Sequence, residues 1–101
     1  MNEEVLLRID ETKRGAFIIE ENRFPIAEMK VHLEDNDLVV EDTQVAEEMR
    51  GNNLGKTLLE AMVDHARMNE FKIVPVCSFV KKQFEKNPEE YKDVWKEYEE
   101  R

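Results

Sequence analysis

The feature that most constrains the fold is a change of hydrophobic period in the middle of the chain. Between Pro25 and Leu33, apolar residues alternate with polar ones, which is typical of a strand with one buried face. Further along, apolar residues recur at the spacing of one face of an amphipathic helix, at Leu54, Leu58, Leu59, Met62, Val63 and Ala66. The sequence therefore predicts a fold in which strands come first and helices are added to them.

Five segments have the composition of β-strands. The first four fit an antiparallel meander, with turns at Asp10–Gly15 and Glu34–Asp37. The fifth follows the long helix, so it is expected to lie parallel to its neighbour through a right-handed crossover. Pro75 in this strand lacks an N–H group, which requires a sheet edge or an irregularity at that point. The predicted strands are Val5–Ile9, Ala16–Glu20, Pro25–Leu33, Leu38–Val45 and Lys72–Val76.

Three helices complete the predicted fold. They run from near Asn53 to around Asn69, from Phe79 to Lys86 and from about Glu89 to Glu99. Ser78 suits the N-cap of the second helix, and Pro88 suits the first turn of the third. The element order is therefore β-β-β-β-α-β-α-α, an α+β (α/β-like) class with a mixed, mostly antiparallel five-stranded sheet and flanking helices. We expect a single domain over residues 1–101, whose last residues, 96–101, fray.

The net charge of −9 over 101 residues excludes some classes of function. A nucleic-acid binder needs a basic face for the phosphates, and an anionic membrane surface attracts basic segments. The charge is uneven, however, because residues 50–86 carry seven basic and four acidic side chains while both flanks are acidic. We therefore expect binding to neither nucleic acid nor membrane, and we expect an anionic ligand, if there is one, on the middle segment.

Cysteine content and the N-terminal sequence indicate a reducing compartment. The one cysteine, Cys77, has no partner for a disulfide within the chain. The first twenty residues are charged throughout, and no apolar run approaches the ~20 residues that span a bilayer. A cytoplasmic location is therefore expected.

One cysteine and two distant histidines, His32 and His65, also lack the spacing of a metal site.

The segment with the clearest chemistry is a small-residue loop that opens into the first helix. The first turn of a helix leaves backbone N–H groups without partners, at the positive end of the helix dipole. Gly51 and Gly55 let the backbone approach a ligand closely, and Arg50 and Lys56 add positive charge. Together these groups predict a phosphate cradle, although a plain strand–turn–helix junction would use the same glycines.

This loop matches neither of two common phosphate-binding motifs. A Walker loop that ends in Gly55–Thr57 would need a glycine at the position of Arg50. A Rossmann fingerprint would follow the first strand of a βαβ unit rather than a four-stranded meander. Asn52 and Asn53 take left-handed backbone conformations more readily than most residues, so a tight turn remains the expected geometry.

Arg50–Gly55 resembles the acetyl-CoA motif of the GNAT N-acetyltransferases, Gln/Arg-x-x-Gly-x-Gly/Ala. Over roughly residues 38–95 the chain is similar to the small single-domain YjdJ-type group of that family, on the segments Thr43–Val45, Met49–Gly51, Ala66–Arg67, Val74–Val80 and Asn87–Tyr91. The resemblance implies that the pyrophosphate of acetyl-CoA lies on the amides of residues 50–56. It also implies that the pantetheine arm pairs with Thr43–Val45 and that the acetyl group points between the fourth and fifth strands. The implied acetyl-CoA site comprises Thr43, Gln44, Val45, Arg50, Gly51, Asn52, Asn53, Leu54, Gly55, Lys56, Ser78 and Phe79.

Two positions depart from the family pattern. The central glycine of the motif is Asn53 here, and left-handed geometry is less favourable for asparagine than for glycine. The residue before Thr43 is often histidine in the group, and here it is Asp42. A role tied to that histidine is therefore not carried over to this chain.

Cys77 and His32 are the candidate catalytic residues. In the resembled group a cysteine occupies the place of Cys77, beside the expected acetyl position. This cysteine can accept the acetyl group, line the pocket while an amine attacks directly, or be only a small buried residue. His32 lies on the expected outer face of the third strand, either as a surface residue or as a general base. His65, at the edge of the apolar stripe, is expected to be packed and half-buried.

Other charged and aromatic side chains have a functional and a structural interpretation. Carboxylates that can deprotonate or attract an amine, unless they are only solvated, are Glu41, Asp42, Glu47 and Glu48. Lys81 and Lys82 can reach adenosine phosphates or can simply cover an exposed helix face. Tyr91 and Trp95 fit helix packing better than a ligand site.

The favoured function is transfer of acetyl from acetyl-CoA to a primary amine. The connection Asp10–Gly15 is short where larger relatives place helices that wall the acceptor site, so an open acceptor side is expected. A protein, a peptide or a small polyamine would fit it, and the acidic flanks favour a basic acceptor. The alternative is a non-catalytic acyl-CoA-binding or protein-interaction module on the same scaffold. Neither the acceptor nor the oligomeric state can be read from the sequence.

Overall fold

The computed structural model describes residues 4–96. Its elements are the strands β1 (Leu6–Ile9), β2 (Arg14–Glu21), β3 (Phe24–Glu34), β4 (Asp37–Val45) and β5 (Lys72–Pro75), the helices α1 (Leu54–Asn69), α2 (Ser78–Lys86) and α3 (Pro88–Tyr91), and a 3₁₀ turn at Glu47–Met49. The five strands form one sheet in sequence order. Strands β1 to β4 pair antiparallel, and β5 pairs parallel to β4. The predicted α+β class, the mixed five-stranded sheet and the order of the elements are confirmed.

The helices and one face of the sheet share a single apolar core. The alternation along β3 produces this arrangement, because Met29 and Val31 are almost completely buried while Lys30 between them is exposed. Helix α1 buries its predicted apolar stripe in the same core, which Phe84 of α2 and Val94 also join. On β3 the alternate positions, which face away from this core, carry the polar side chains Glu28, Lys30 and His32. None of the helices among residues 4–96 is long and apolar enough to cross a bilayer.

Strand β4 contains a bulge opposite the middle of β3. Val31 pairs with Val40, whereas Lys30 pairs with Asp42, so Glu41 is an extra residue on β4. A bulge of this kind bends the strand and leaves one residue without a ladder partner. The bend occurs directly after Val40, the last residue of β4 that pairs with β5.

Strands β4 and β5 separate immediately after this point. Their parallel pairing ends at Val40 and Pro75, and the described chain then turns into α2. Residues 41–45 of β4 therefore have β3 on one side and no strand on the other within the described residues. Pro75 is the last residue of the last strand in the sheet, which confirms the edge or irregularity predicted for it. The two strands diverge around an open gap.

The first turn is shorter than predicted, because Gly15 belongs to β2. The carboxylate of Asp10 closes the turn by accepting the backbone N–H of Thr12 at 2.8 Å. Gly15 pairs with Ile9, and a Cβ at its position would lie 1.9 Å from the backbone oxygen of Arg8. Gly15 is therefore required by the close approach of two strands rather than by a turn.

Ser78 does not cap α2, contrary to the prediction. The helix begins at Ser78 itself, Cys77 occupies the N-cap position, and no side chain caps the helix. The backbone N–H of Cys77 donates to the carbonyl oxygen of Val40 at 2.9 Å. This bond holds Cys77 in extended conformation beside β4, so that the helix starts one residue earlier than the capping preference of serine suggested.

The third helix ends at Tyr91, well before the predicted end. The backbone N–H of Ile73 donates to Val94 at 2.6 Å, and the N–H of Lys96 donates to Ile73 at 3.0 Å. The chain after the helix therefore runs beside β5 in turns instead of continuing as a helix. The predicted helical residues 97–99, and residues 97–101 of the predicted frayed end, lie outside the described residues.

Arg67 near the end of α1 anchors this C-terminal segment. Its Nε donates to Oδ2 of Asp93 at 2.9 Å, and its Nη2 donates to Oδ1 of Asp93 at 3.2 Å and to the carbonyl oxygen of Glu90 at 2.7 Å. The hydrogen bonds to Asp93 raise the pKa of Arg67, and those from Arg67 lower the pKa of Asp93. Helix α1 is thus fixed at the end that lies away from its glycine-containing N-terminus.

Candidate functional site

A cavity of about 710 Å³ opens beside the N-terminus of α1. It lies where the end of β4, the loop before α1, the first turn of α1 and the side of α2 meet. Its lining residues are Thr43, Gln44, Val45, Met49, Arg50, Gly51, Asn53, Leu54, Gly55, Lys56, Phe79 and Gln83. The structure thus brings together most residues predicted for the acetyl-CoA site, whereas Asn52 and Ser78 are not in the lining.

The loop before α1 owes its shape to two left-handed residues. Gly51 has φ 93°, and Asn53 has φ 58° and ψ 27°. Asn52 between them turns its side chain back, and its Nδ2 donates to the carbonyl oxygen of Met49 at 2.9 Å. Asn53 thus takes the strained conformation anticipated for the motif position that is usually glycine, while Asn52 braces the loop from outside the cavity.

The first turn of α1 presents unpaired backbone donors to the cavity. Asn53 holds the N-cap position without a side-chain cap, and its carbonyl oxygen accepts from both the N–H and the Oγ1 of Thr57, each at 3.1 Å. The preceding amides, those of residues 54–56, have no carbonyl one turn back within the helix. A helix N-terminus in this state attracts anions through its N–H groups and its dipole.

Two cations flank these donors. The side chains of Arg50 and Lys56 line the cavity, both residues are exposed, and neither makes an ion pair with another described residue. Cations without carboxylate partners are available to an anionic ligand. The N-terminus of α1 is therefore a positively charged concave surface on a chain with net charge −9.

Gly55 allows α2 to pack against the first turn of α1. A Cβ at Gly55 would lie 3.1 Å from Cζ of Phe79 and 3.4 Å from its Cε2. This close contact brings the ring of Phe79 and the side chain of Gln83, one helical turn later, into the cavity wall. Gln83 was not anticipated from the sequence, because it belongs to no motif and reaches the cavity through packing. Met49 precedes Arg50 in a segment that carries the family resemblance, but it was not among the predicted binding residues.

The gap between β4 and β5 holds the candidate nucleophile. Cys77 is 5% exposed, and its Sγ lies 3.3 Å from Oγ1 of Thr43, which lines the cavity. Its backbone is fixed by the bond to Val40 described above. Cys77 therefore lies at the inner end of the cleft, next to a lining residue, as a small buried side chain with one hydroxyl neighbour.

His32 lies on the other face of the sheet and does not line the cavity. Its Nδ1 lies 2.5 Å from Oε2 of Glu41, and its Nε2 lies 2.7 Å from Oε2 of Glu34. Hydrogen bonds that the ring donates to the carboxylates of Glu34 and Glu41 raise the pKa of this imidazole above its ordinary value. The structure therefore keeps the two candidate catalytic residues, Cys77 and His32, on different sides of the sheet.

The second histidine has a packing role. His65 is half-buried, with ring centroids 5.7 Å from Phe17 and 5.9 Å from Phe71. Burial lowers its pKa, which favours the neutral ring. The prediction of a packed, half-buried histidine is confirmed. Among the residues 4–96, no three His, Cys, Asp or Glu side chains form a group able to hold a metal ion.

The remaining candidate side chains lie outside the cavity wall. Glu41 contacts His32, Asp42 accepts from Nε2 of Gln44 at 3.1 Å, and Glu47 and Glu48 are exposed in the 3₁₀ turn. Lys81 and Lys82 are exposed on α2. Tyr91 stacks on Phe84 with centroids 4.6 Å apart, and Trp95 meets the same ring edge-on at 5.5 Å. The packing interpretation of these two aromatic residues is confirmed.

A family model and a solved structure are similar to most of this chain. The family model for GCN5-related N-acetyl-transferases matches residues 16–94. The solution structure of a GCN5-like candidate N-acetyltransferase from Staphylococcus aureus is similar, with TM-score 0.70 and 34% identity over 97% of this chain and 92% of that one. No curated protein shows a significant match.

Two solved structures share the fold at lower identity. One is ribosomal-protein-alanine N-acetyltransferase from Brucella melitensis biovar Abortus 2308, with TM-score 0.60 and 16% identity over 91% of this chain and 67% of that one. The other is nourseothricin acetyltransferase, with TM-score 0.54 and 23% identity over 65% of this chain and 41% of that one. Together with the family match, which spans most of the chain, these similarities lead to one conclusion. The chain belongs to the GCN5-related N-acetyltransferase family, whose members transfer acetyl groups.

Proposed function

We propose that this protein transfers the acetyl group of acetyl-CoA to a primary amine. The observation that carries the proposal is the cavity at the N-terminus of α1, where uncapped backbone N–H groups meet Arg50 and Lys56, two cations that form no ion pair within residues 4–96. A diphosphate needs several donors and compensating positive charge in one place, and this surface supplies both. The proposal places the pyrophosphate of acetyl-CoA on residues 50–56.

The rest of the cosubstrate has room along β4. Beyond Val40 the strand has no neighbour on the β5 side among the described residues, so the backbone of Thr43–Val45 can pair with the amides of a pantetheine arm. These three residues line the same cavity as the α1 N-terminus. In this arrangement the thioester lies at the inner end of the gap, near Cys77.

In direct transfer, the amine nitrogen forms a bond to the thioester carbonyl carbon, and the carbon–sulfur bond breaks. The CoA thiolate leaves, and the amine loses one proton to a base or to water. The chain would contribute by positioning the thioester and by providing backbone donors to its oxygen. Solvent-facing carboxylates beside the gap, such as Asp42, are available to attract a cationic amine.

Cys77 offers a second route within the same proposal. Its thiolate would attack the thioester carbon, release the CoA thiolate and carry the acetyl group as a thioester until an amine removes it. Intact mass measured after incubation with acetyl-CoA distinguishes the routes. An acetyl adduct on the wild type that is absent in Cys77→Ala supports the covalent route, whereas transfer without any adduct in either protein supports direct attack.

The acceptor is proposed to be a basic peptide, protein or polyamine amine. Strands β1 and β2 are joined by a tight turn at Asp10–Lys13, so the described chain has no helix between them that could wall an acceptor site. An open acceptor side surrounded by acidic side chains suits a cationic acceptor, which electrostatic attraction would hold there. High salt is then expected to raise the KM for basic acceptors more than the KM for acetyl-CoA. The reducing cytoplasm would keep Cys77 as a thiol.

The proposed acetyl-CoA site is tested by measuring the affinity for acetyl-CoA of a variant with less positive charge. Arg50→Ala/Lys56→Ala is expected to weaken the binding of acetyl-CoA by at least about tenfold, because two charge-assisted contacts are lost. The matched control is Arg8→Ala/Lys86→Ala, which likewise removes one arginine and one lysine charge, from exposed residues outside the cavity. Equal effects of the two variants would indicate general electrostatics and contradict the cradle. Tight CoA binding without transfer to any amine in a broad panel would instead favour the non-catalytic acyl-CoA-binding module.

A further inference from the structure

Four side chains form a charged cluster on the sheet face opposite the helices. This His32 cluster consists of Arg14, His32, Glu34 and Glu41. Besides the contacts of both imidazole nitrogens given above, Nη1 of Arg14 lies 3.7 Å from the Glu41 oxygen that faces His32. The His32 side chain is 19% exposed, so its contacts are partly shielded from water. A protonated ring, with two N–H donors, satisfies both carboxylates at once.

The cluster is attached to the one irregular point of β4. Glu41 is the extra residue of the bulge. The residue before it, Val40, accepts the backbone N–H of Cys77, and Thr43, two residues after it, lies against Sγ of Cys77. A bulged residue has no ladder partner of its own, so the contacts of its side chain add to what the flanking pairs contribute to its conformation. The contacts that hold the Glu41 side chain therefore affect the backbone of β4 where it separates from β5.

We propose that protonated His32 is a positioning residue, which holds the Glu41 side chain against β3 and thereby fixes the backbone of residues 41–43 for acetyl transfer. The inference rests on the proposed function, because the bulge matters for catalysis only if the thioester lies between β4 and β5. His32 acts through Glu41 and does not touch the substrate. The general-base role considered for it in the sequence is disfavoured, since both ring nitrogens are engaged with carboxylates away from the cavity.

The His32 cluster depends on one proton. On its own and the two neighbouring strands, the charged groups that share its sheet face are Glu28, Lys30 and Glu34 on β3, Arg14 on β2, and Glu41 and Asp42 on β4, while its register partner on β4, Val39, is apolar. Loss of the proton turns one ring nitrogen into an acceptor that faces a carboxylate, and one hydrogen bond is lost. Glu34 and Glu41 raise the pKa of His32 above its ordinary value of 6.5. The two hydrogen bonds of the protonated ring are therefore fully formed below pH 6.5, and one of them is lost as the pH rises through the raised pKa.

A titration by NMR tests the structural half of the inference without using activity. We expect the backbone amides of residues 41–43 in the wild type to shift with the same midpoint as the ring of His32, and we expect His32→Gln to abolish this shift. Glu34→Gln removes one carboxylate from the ring and leaves Glu41 in place, so both midpoints should fall together. The carboxyl groups of Glu41 and Asp42 shift these amides in acid in every variant, so the comparison is made at the midpoint of the ring. Amides that show no transition at that midpoint in the wild type, or that keep it in His32→Gln, would overturn the proposal.

Kinetics test the catalytic half. His32→Gln is expected to lower kcat by about tenfold while the KM for acetyl-CoA changes by less than about twofold, because misplaced backbone affects the reaction more than it affects a diphosphate bound elsewhere. Glu34→Gln, which keeps the ring and Glu41, should match the wild type in acid but lose kcat at a lower pH than the wild type does, because removal of this carboxylate lowers the pKa of His32. Unchanged kcat in a folded His32→Gln would overturn the positioning role and leave the proposed transfer intact. If the wild type transfers no acetyl group at all, the proposed function fails, and the titration still decides whether His32 holds the bulge.

Discussion

The hydroxyl oxygen of Thr43 and the sulfur of Cys77 lie 3.3 Å apart across the gap between β4 and β5, although 34 residues separate them in the sequence. Thr43 lines the cavity, and Cys77 is buried directly behind it. This contact joins the two strands at the point where their backbone pairing has ended. The side chains thus add a contact next to the last main-chain hydrogen bond between these segments, the one from the Cys77 N–H to Val40.

A double-mutant cycle measures that contact. Thr43→Val keeps the shape of the side chain and removes the hydroxyl, which should lower the free energy of unfolding by about 1 kcal/mol. In the background Cys77→Ala the same change should have a smaller effect, with a coupling of about 0.5 kcal/mol or more, because the partner sulfur is already gone. Urea unfolding of the four proteins gives the coupling. Additive effects would mean that the two side chains do not interact.

Gly55→Ala tests the packing that forms the cavity wall. The new Cβ would lie 3.1 Å from Cζ of Phe79, so the ring must move. Alanine is favoured over glycine in a helix by roughly 1 kcal/mol, and this gain should offset most of the strain, leaving stability changed by less than about 1 kcal/mol. The affinity for acetyl-CoA should nevertheless fall, because the displaced ring narrows the cavity. Gly55→Ala/Phe79→Leu should recover part of the affinity in a calorimetric titration, and no recovery would contradict this cause.

Asn53 permits a matched pair of substitutions at one backbone position. Its left-handed conformation, with φ 58° and ψ 27°, is allowed for asparagine and more favourable for glycine. Asn53→Gly should therefore change the free energy of unfolding by less than about 0.5 kcal/mol, whereas Asn53→Ala should lower it by about 1 kcal/mol or more. The side chain caps nothing, so loss of a cap does not complicate the comparison. Equal stability of the two variants would contradict the left-handed loop.

The pair Arg67–Asp93 predicts a specific dependence of stability on pH. Arg67 lowers the pKa of Asp93 below its ordinary value of 3.8, so the pair stabilises the fold above 3.8 and the contribution is lost as the pH falls through the lowered pKa. Asp93→Asn should reduce the free energy of unfolding at neutral pH by about 1 kcal/mol, since the pair is bidentate but partly exposed. The difference from the wild type should disappear in acid. A difference that persists below the lowered pKa would indicate a packing effect instead of the ion pair.

Periodicity and turn chemistry were sufficient to predict most of the fold. The alternation through Met29, Lys30 and Val31 determines which face of β3 is buried, and helical spacing from Leu54 determines the buried stripe of α1. The cradle was predicted because its residues are adjacent in the sequence, so that local rules apply to them. A helix N-terminus that follows a glycine-containing loop has the same geometry whatever surrounds it.

The features that could not be predicted depend on distant contacts. Gln83 lines the cavity only because Phe79 packs on Gly55, and the pairing of Ile73 with the segment after Tyr91 ends α3 although the sequence pattern continues. Ser78 has the better capping side chain, yet Cys77 takes the N-cap because Val40 holds its N–H. In each case a tertiary hydrogen bond or contact outweighs a local preference of a few tenths to about 1 kcal/mol.

The parallel pairing of β4 with β5 also has a consequence for the order of folding. Strands β1 to β4 are neighbours in sequence and join through short turns, so their closure is entropically inexpensive. Leu38 can pair with Ile73 only after the whole of α1 has been spanned, and contacts of such high sequence separation form slowly. We therefore expect the meander to assemble first and the gap that separates Thr43 from Cys77 to appear last. A nascent or partly unfolded chain would then have formed most of its sheet before the gap between β4 and β5, the proposed thioester site, is formed.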